Sequence, residues 1–339
     1  MLGIIEGFYG KPWSWEARKN YAYFIKDIDF NFYIYAPKED KYLRENWNLP
    51  LPKETFEKLK ELSGIYHGLG LKWGIGLSLF NAYLSFDNTV KTNIKKKLNE
   101  LSLLKPDVIA ILFDDMKGDI NNIAETQVSI THFVLENSDF AKIIFCPTYY
   151  TFDPILESVF GKKPKNYLHY IGDNLDSKID IIWTGPMVRS EYITVEHLKE
   201  VQDILKRKPF IWDNYIANDG KEHEQFLYIK PFKNRNTEIL DYISGFMINP
   251  MNQAYLSQIP IQTFADELKL SNHYTPSSSI KNAVEKVCGR KHKEKVIEYT
   301  KDFLKGRESI SEKRREEIYR YCSSIDEQWS IEIVEWLKG

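Results

Sequence analysis

The sequence predicts an α/β fold, a (β/α)8 barrel of the TIM type over residues 1–270, followed by a small helical region over 271–339. Two patterns carry this. Eight short runs of Val, Ile, Leu and aromatic residues recur roughly every 30 to 40 positions through the first 250, and most are continuously apolar, as strands covered on both faces are. Between them, apolar residues repeat at three and four, the spacing of amphipathic helices. Alternating strands and helices give a parallel sheet, and eight repeats over about 250 residues close it into a barrel. An open doubly wound sheet is the alternative; it is weakened because no G-x-G-x-x-G follows the first strand.

The strands are read at 2–8, 32–36, 72–77, 107–113, 142–147, 180–184, 209–213 and 245–249. Among the helices, Phe56, Leu59, Leu62 and Tyr66 share one face. Val90, Ile94, Leu98 and Leu101 share another behind a capping Asp87-Asn88, and Thr194 heads a third bearing Leu198, Val201 and Leu205. Past 270 the texture changes. Residues 274–279 read as a linker or a helix start, and 280–339 as two or three charged amphipathic helices. The basic stretch 290–315 carries interspersed Glu and reads as a solvated face rather than a binding tail.

Composition narrows the function. Lys+Arg is 46 against Asp+Glu 48, a net charge of −2, which gives no electrostatic case for nucleic acid. No apolar run of transmembrane length occurs, and the first residues lack the pattern of a secretory signal, so neither membrane nor export is expected. Cys146, Cys288 and Cys322 show neither disulfide nor metal spacing, which suits a reducing cytoplasmic compartment. No H-x-H at a strand end and no H-E-x-x-H is present, which argues against metal catalysis; no P-loop supports phosphoryl transfer and no G-x-S-x-G supports a serine nucleophile. The seven histidines are scattered and read as surface or packing residues. Aromatics reach 14%, and several stand beside polar residues, as in Trp212-Asp213-Asn214; rings of this kind wall sugar pockets, though they also serve a Tyr-rich surface.

In such barrels the active site lies at the C-terminal ends of the strands. That rule selects Gly7, Phe8 and Tyr9 after the first strand, Lys38 after the second, Gly76 and Ser78 near the end of the third and Asp114-Asp115 after the fourth. It also selects Thr148-Tyr149-Tyr150 after the fifth, Thr184-Gly185-Pro186 after the sixth, Asp213-Asn214 after the seventh and Asn249 after the eighth; Lys38, Asn214, Asp219 and Asn249 are hydroxyl partners for a sugar, with Trp212 and Tyr150 as ring floor and wall. Two acids delivered side by side cannot both ionise easily, so one carboxyl is expected to be raised and available as a general acid. An Asp pair also serves as a helix cap, a metal ligand or a solvated turn.

These residues fall in recognisable strings. Gly3-Ile4-Ile5-Glu6-Gly7-Phe8-Tyr9-Gly10-Lys11-Pro12-Trp13 with Arg18, Tyr35-Ala36-Pro37-Lys38-Glu39-Asp40 and Leu112-Phe113-Asp114-Asp115 are followed by Phe145-Cys146-Pro147-Thr148 and Trp183-Thr184-Gly185-Pro186. Trp212-Asp213-Asn214 with Asn218-Asp219, and Asn249-Pro250, complete the set. Together they resemble glycoside hydrolase family 84, the O-GlcNAcase and hyaluronidase-like β-N-acetylglucosaminidases, over residues 3–255.

The resemblance implies hydrolysis of terminal β-linked GlcNAc with retention, the substrate's own acetamido oxygen forming an oxazoline. Asp114 would hold and polarise the acetamido N–H, and Asp115 would serve as general acid and base. Tyr150 would bond near the acetamido group, and Trp212 would line the acetyl pocket. Gly7, Lys38, Asn214, Asp219 and Asn249 would grip the sugar, and Phe8, Tyr9 and Val188 would shape the wall. The implied partner is a GlcNAc-bearing glycoside or glycoprotein, and the implied chemistry needs no metal and no organic cofactor. The domain that precedes the barrel in larger relatives, and their long helical stalk, are expected to be missing or reduced. Gly220, where a Tyr is common, is expected to loosen the sugar's grip.

Overall fold

The computed structural model describes residues 1–339. Its eight parallel strands close into one barrel in sequence order. They are β1 (Leu2–Glu6), β2 (Phe32–Tyr35), β3 (Lys72–Leu77), β4 (Val108–Leu112), β5 (Lys142–Cys146), β6 (Asp180–Trp183), β7 (Phe210–Asp213) and β8 (Gly245–Ile248). Leu2 pairs with Phe246 to close the ring. Every residue of β4 is buried, which is why its sequence is continuously apolar rather than alternating. Most strands stop one or two residues before the apolar runs do. The residues released there, among them Gly7, Phe113 and Asn249, build the mouth.

The helices α1 (Trp15–Asp27), α2 (Lys53–Gly68), α3 (Asn88–Ser102) and α4 (Ile123–Glu136) follow the first four strands. Two short ones, α5 (Ile155–Phe160) and α6 (Tyr167–Asn174), follow β5; α7 (Val195–Leu205) follows β6, and α8 (Ala254–Leu270) follows β8. The Asp87 side chain accepts from Val90 N at 2.9 Å and Thr194 from His197 N at 3.2 Å, the caps the sequence announces. Leu59, Leu62 and Tyr66, Ile94, Leu98 and Leu101, and Leu198, Val201 and Leu205 are all buried. After β7 the alternation fails. A long loop with a single 3-10 turn, Thr237–Tyr242, replaces the helix. Arg235, fully buried, holds that loop: its guanidinium pairs with Asp213 at 2.8 and 3.2 Å and donates to the Glu191 carbonyl at 2.8 Å.

Four helices, not two or three, follow α8: α9 (Pro276–Cys288), α10 (Lys293–Phe303), α11 (Glu312–Ser323) and α12 (Gln328–Lys338). Glycines with positive φ, Gly289 at 80° and Gly306 at 92°, separate the first three. Segment 274–279 is a helix start, with Pro276 in the first turn. The basic stretch is an ion-pair lattice, Lys295 reaching Glu317 at 2.9 Å and Arg314 reaching Asp302 at 2.9 Å. A second hydrophobic core joins Val296, Phe303 and Trp336 to Leu227, Met251 and Leu256 of the barrel. The three cysteines are free and buried. No helix is long and apolar enough to cross a membrane.

The last helix also touches two loops of the mouth and the first turn of α8. Lys11 after β1 pairs with Glu335 at 2.8 Å, and Trp336 Nε1 donates to Glu224 O, in the loop after β7, at 3.1 Å. Glu332 accepts from Tyr255 N at 3.0 Å and Leu256 N at 2.9 Å in the first turn of α8. Burial pushes the Glu332 carboxyl up to about 8, against these backbone N–H groups that hold it down. The fold thus keeps a proton that the unfolded chain gives up from its ordinary value near 4.5. Stability from this group is present below that ordinary value and lost as pH rises to about 8. Glu332→Gln removes the titration. Its urea midpoint, relative to wild type, is expected to rise between pH 5 and pH 8 and then level off. A constant offset across that range would contradict the assignment.

Candidate active site

Nearly all the strand-end residues meet in one cavity of about 560 Å³. Gly7, Tyr9, Lys38, Asp114, Asp115, Tyr150, Val188, Trp212, Asn214, Asp219 and Asn249 line it. Phe8 does not. Neighbouring residues at a strand end point to opposite sides, so Gly7 and Tyr9 face the cavity while Phe8 is buried behind it against Trp13, ring centroids 5.7 Å apart. Glu6 of the same string is also turned inward, where Arg18 clasps it with two hydrogen bonds of 2.7 and 2.8 Å.

The two aspartates reach the same cavity because the backbone turns at Asp115, which sits at φ 57° in the left-handed region. An extended strand would have sent them to opposite faces. Lys38, buried, is ion-paired with Asp114 Oδ2 and lies 3.8 Å from Asp115 Oδ2. Asp114 Oδ1 is buried and has no hydrogen-bond partner. Asp115 accepts from the Tyr9 hydroxyl at 2.9 Å on one oxygen and from Tyr150 at 3.4 Å on the other. Burial pushes the Asp115 carboxyl above the ordinary carboxylate range, and Asp114 adds to this, while Lys38, Tyr9 and Arg44 pull it back. Burial works against the charge of Lys38, but the two aspartates raise its ammonium above the usual value. Burial, helped by both aspartates, also lifts Tyr150, so its hydroxyl stays a donor.

The opposite wall is a fixed amide network. Asn249 donates to Asn214 Oδ1 at 3.0 Å and accepts from Gly7 N at 3.1 Å. Trp212 Nε1 donates to the same Asn214 oxygen at 2.9 Å, and Asn214 donates to Val188 O at 2.8 Å. Residue 7 is glycine because a Cβ there would collide with the Trp212 ring. Asp219 accepts from Tyr9 N at 2.9 Å, tying the β1 and β7 loops together.

Further residues complete the site. The rim on the β5 and β6 side is apolar, with Ile155 49% exposed, Val159 65% and Met187 46%. Asp153 fixes it by accepting from Ile155 N at 3.0 Å and Val188 N at 3.1 Å. Cys146, Thr184, Arg189 and His223 also line the cavity, so His223 is more than a surface residue. Arg189 spans β6 and β7 by donating to Asn214 O at 3.0 Å. Cys146 and Thr184 stand in the strand-end strings quoted above, whereas only rim position after a strand could have pointed to Ile155, Val159, Met187, Arg189 and His223.

Two acids in unlike environments over a deep pocket with a ring on its wall, set at the mouth of a closed barrel, are the arrangement of a glycoside hydrolase. The chain belongs to the beta-N-acetylglucosaminidase family, whose model matches residues 2–301. It is 33% identical over 275 residues to the protein O-GlcNAcase of Rattus norvegicus and 32% identical over 275 residues to that of Mus musculus. Each of these matches covers 78% of this chain but 29% of the relative, so the chain spans less than a third of their length. A solved structure of an O-GlcNAc hydrolase variant from Thermobaculum terrenum superimposes with a TM-score of 0.81 at 31% identity, over 99% of this chain and 80% of that one.

Proposed function

We propose that the chain is an exo-β-N-acetylglucosaminidase of the O-GlcNAcase type, retaining and substrate-assisted. The observation that carries this is the buried, unpartnered Oδ1 of Asp114 on the cavity wall. A buried acceptor without a donor calls for one from a ligand, and the acetamido N–H of GlcNAc supplies it. With that N–H held, the acetamido carbonyl oxygen attacks the anomeric carbon and the glycosidic bond breaks. Asp115 gives its proton to the departing oxygen. The oxazoline then opens when water, giving its proton to Asp115, adds to the anomeric carbon. Two inversions give retention.

The remaining roles follow from placement. Lys38, paired with one oxygen of Asp114, leaves the other aimed at the acetamido group as positive charge develops on the oxazoline. Tyr150 donates beside the acetamido group and Trp212 lines the acetyl pocket. Asn214 and Asn249, locked to each other and to Gly7, meet sugar hydroxyls, and Asp219 offers its second oxygen to another. Tyr9 and Val188 form wall, while Phe8 supports it from behind. Gly220, with nothing within 4 Å of where its Cβ would be, adds no contact to the sugar.

Catalysis is assigned to the barrel, 1–270, and support of its mouth to 271–339. The apolar rim favours an aglycone with apolar groups, such as a glycosylated peptide segment, over a bare polar glycan. The buried free thiols suit a reducing, cytoplasmic setting. The test is release of phenol from an aryl β-N-acetylglucosaminide beside the matching β-glucoside. Turnover of the first alone is expected. Turnover of both would point to an enzymatic nucleophile, and turnover of neither to a glycan-binding protein.

A further inference from the structure

Arg44 is a buried cation beside the acid pair that the mechanism so far leaves unused. The loop after β2 delivers it. Asp40 caps a one-turn 3-10 helix, Lys41–Leu43, by accepting from Tyr42 N at 3.1 Å, and Leu43 O accepts from Ser78 N at 2.8 Å, pinning the turn to the end of β3. Arg44 follows directly. Its Nη2 donates to the Tyr9 hydroxyl at 3.1 Å and lies 3.4 Å from the Asp115 carbonyl oxygen. The guanidinium sits over Phe80 at 5.4 Å and Tyr9 at 5.7 Å, and its Nη1 is buried with no partner. One loop therefore sends a cation to each aspartate, Lys38 to Asp114 and Arg44 to Asp115.

We propose that Arg44 is a positioning residue for proton transfer, holding Asp115 both at its backbone carbonyl and through the Tyr9 hydroxyl that bonds its side chain. The inference rests on the reading of Asp115 as general acid. Asp115 sits at φ 57°, in the left-handed region that Asp visits more readily than most residues, and Arg44 at its carbonyl helps to fix that turn. Tyr9, at an exposed edge of the site, gives the carboxyl one bond of 2.9 Å. Arg44 donates to the same hydroxyl and so adds a second fixed point to the ring. The charged groups facing Asp115 are Asp114, Lys38 and Arg44, with Tyr9 and Tyr150 as the titratable hydroxyls. Of the two cations, Arg44 is the one that acts on Asp115 without also pairing with Asp114.

The test compares Arg44→Gln, Arg44→Lys and wild type on an alkyl and a dinitrophenyl β-N-acetylglucosaminide. Displacement of a catalytic group by about 1 Å costs up to about 10²-fold. Arg44→Gln is expected to lose kcat by about that factor on the alkyl glycoside, which needs a proton, and to stay within about threefold on the dinitrophenyl glycoside, which does not. KM is expected to change little on either. Because the charge of Arg44 pulls the Asp115 carboxyl down, the alkaline limb of kcat/KM is expected to move to higher pH in Arg44→Gln. Arg44→Lys keeps a charge but not the fork, so it should restore the limb and recover only part of kcat.

Equal losses on both glycosides with an unmoved limb would make Arg44 a structural residue and overturn the proposal, as would full activity of Arg44→Gln. Should the Gln variant not fold, the leaving-group dependence of Arg44→Lys decides. An active wild type whose variants show no such dependence defeats the role of Arg44 alone. A folded wild type that turns over neither glycoside defeats the hydrolase reading and this inference with it.

Discussion

Asparagine in place of Asp115 is expected to lower kcat by about 10²- to 10⁴-fold on a β-N-acetylglucosaminide with an alkyl leaving group. On a dinitrophenyl glycoside the loss should be far smaller, because that oxygen departs without a proton. The expectation follows from the site. Burial and the Asp114 charge keep the Asp115 carboxyl raised, so it holds a proton at higher pH than an ordinary carboxylate does. Two tyrosine hydroxyls fix its oxygens, Tyr9 at 2.9 Å and Tyr150 at 3.4 Å. Steady-state kinetics on the two substrates, with azide offered as an external nucleophile, separates the acid role from the base role. The variant should regain rate with azide only where the first step is already fast. Equal losses on both substrates would contradict the acid assignment.

Asp114→Asn is expected to slow both substrates, by about 10²- to 10³-fold, the usual loss when one fixed electrostatic partner of a transition state is removed. No leaving group rescues it, since the oxazoline must form in every case. Two effects compound. The acetamido N–H meets a neutral amide in place of a carboxylate. Lys38, 3% exposed at its side chain, loses its ion-pair partner and keeps only Asp115, 3.8 Å away. Breaking a buried pair from one side costs about 3 to 5 kcal/mol, so the urea midpoint should fall with activity. A fully active Asp114→Asn would sink substrate assistance.

Much of this site was legible before any coordinates. Strands buried on both faces announce themselves as apolar runs, and a parallel barrel places its chemistry where those runs end. That logic reached Asp114, Asp115, Lys38, Trp212 and Asn249 from position alone. It missed in ways that have physical causes. Phe8 was drawn into the pocket because its neighbours line it, but adjacent side chains at a strand end diverge, and Phe8 belongs to the core. Arg44 lies six residues beyond Lys38, and only a folded turn brings it back to the acids. Arg235 stands in a loop with no periodicity to betray it, yet it fastens the helix-free connection between β7 and β8. The C-terminal helices were undercounted because charged faces blur the apolar repeat, and the breaks depend on single glycines.

The contacts of α12 with the mouth bear on how the chain can be taken apart. A cut at residue 270 would look harmless on a diagram of strands and helices. It would strip the cover from Leu227, Ile229, Met251, Leu256 and Ile259, which share a core with the tail. It would also unfasten Lys11, Glu224 and the first turn of α8 together, next to the loops that bear Tyr9, Asp219 and Asn249. A ligand that tightens those loops would favour the folded tail, and fraying of the tail would weaken that ligand by the same free energy. The barrel and its last helices share one hydrophobic core, so the tail braces the mouth from outside the cavity.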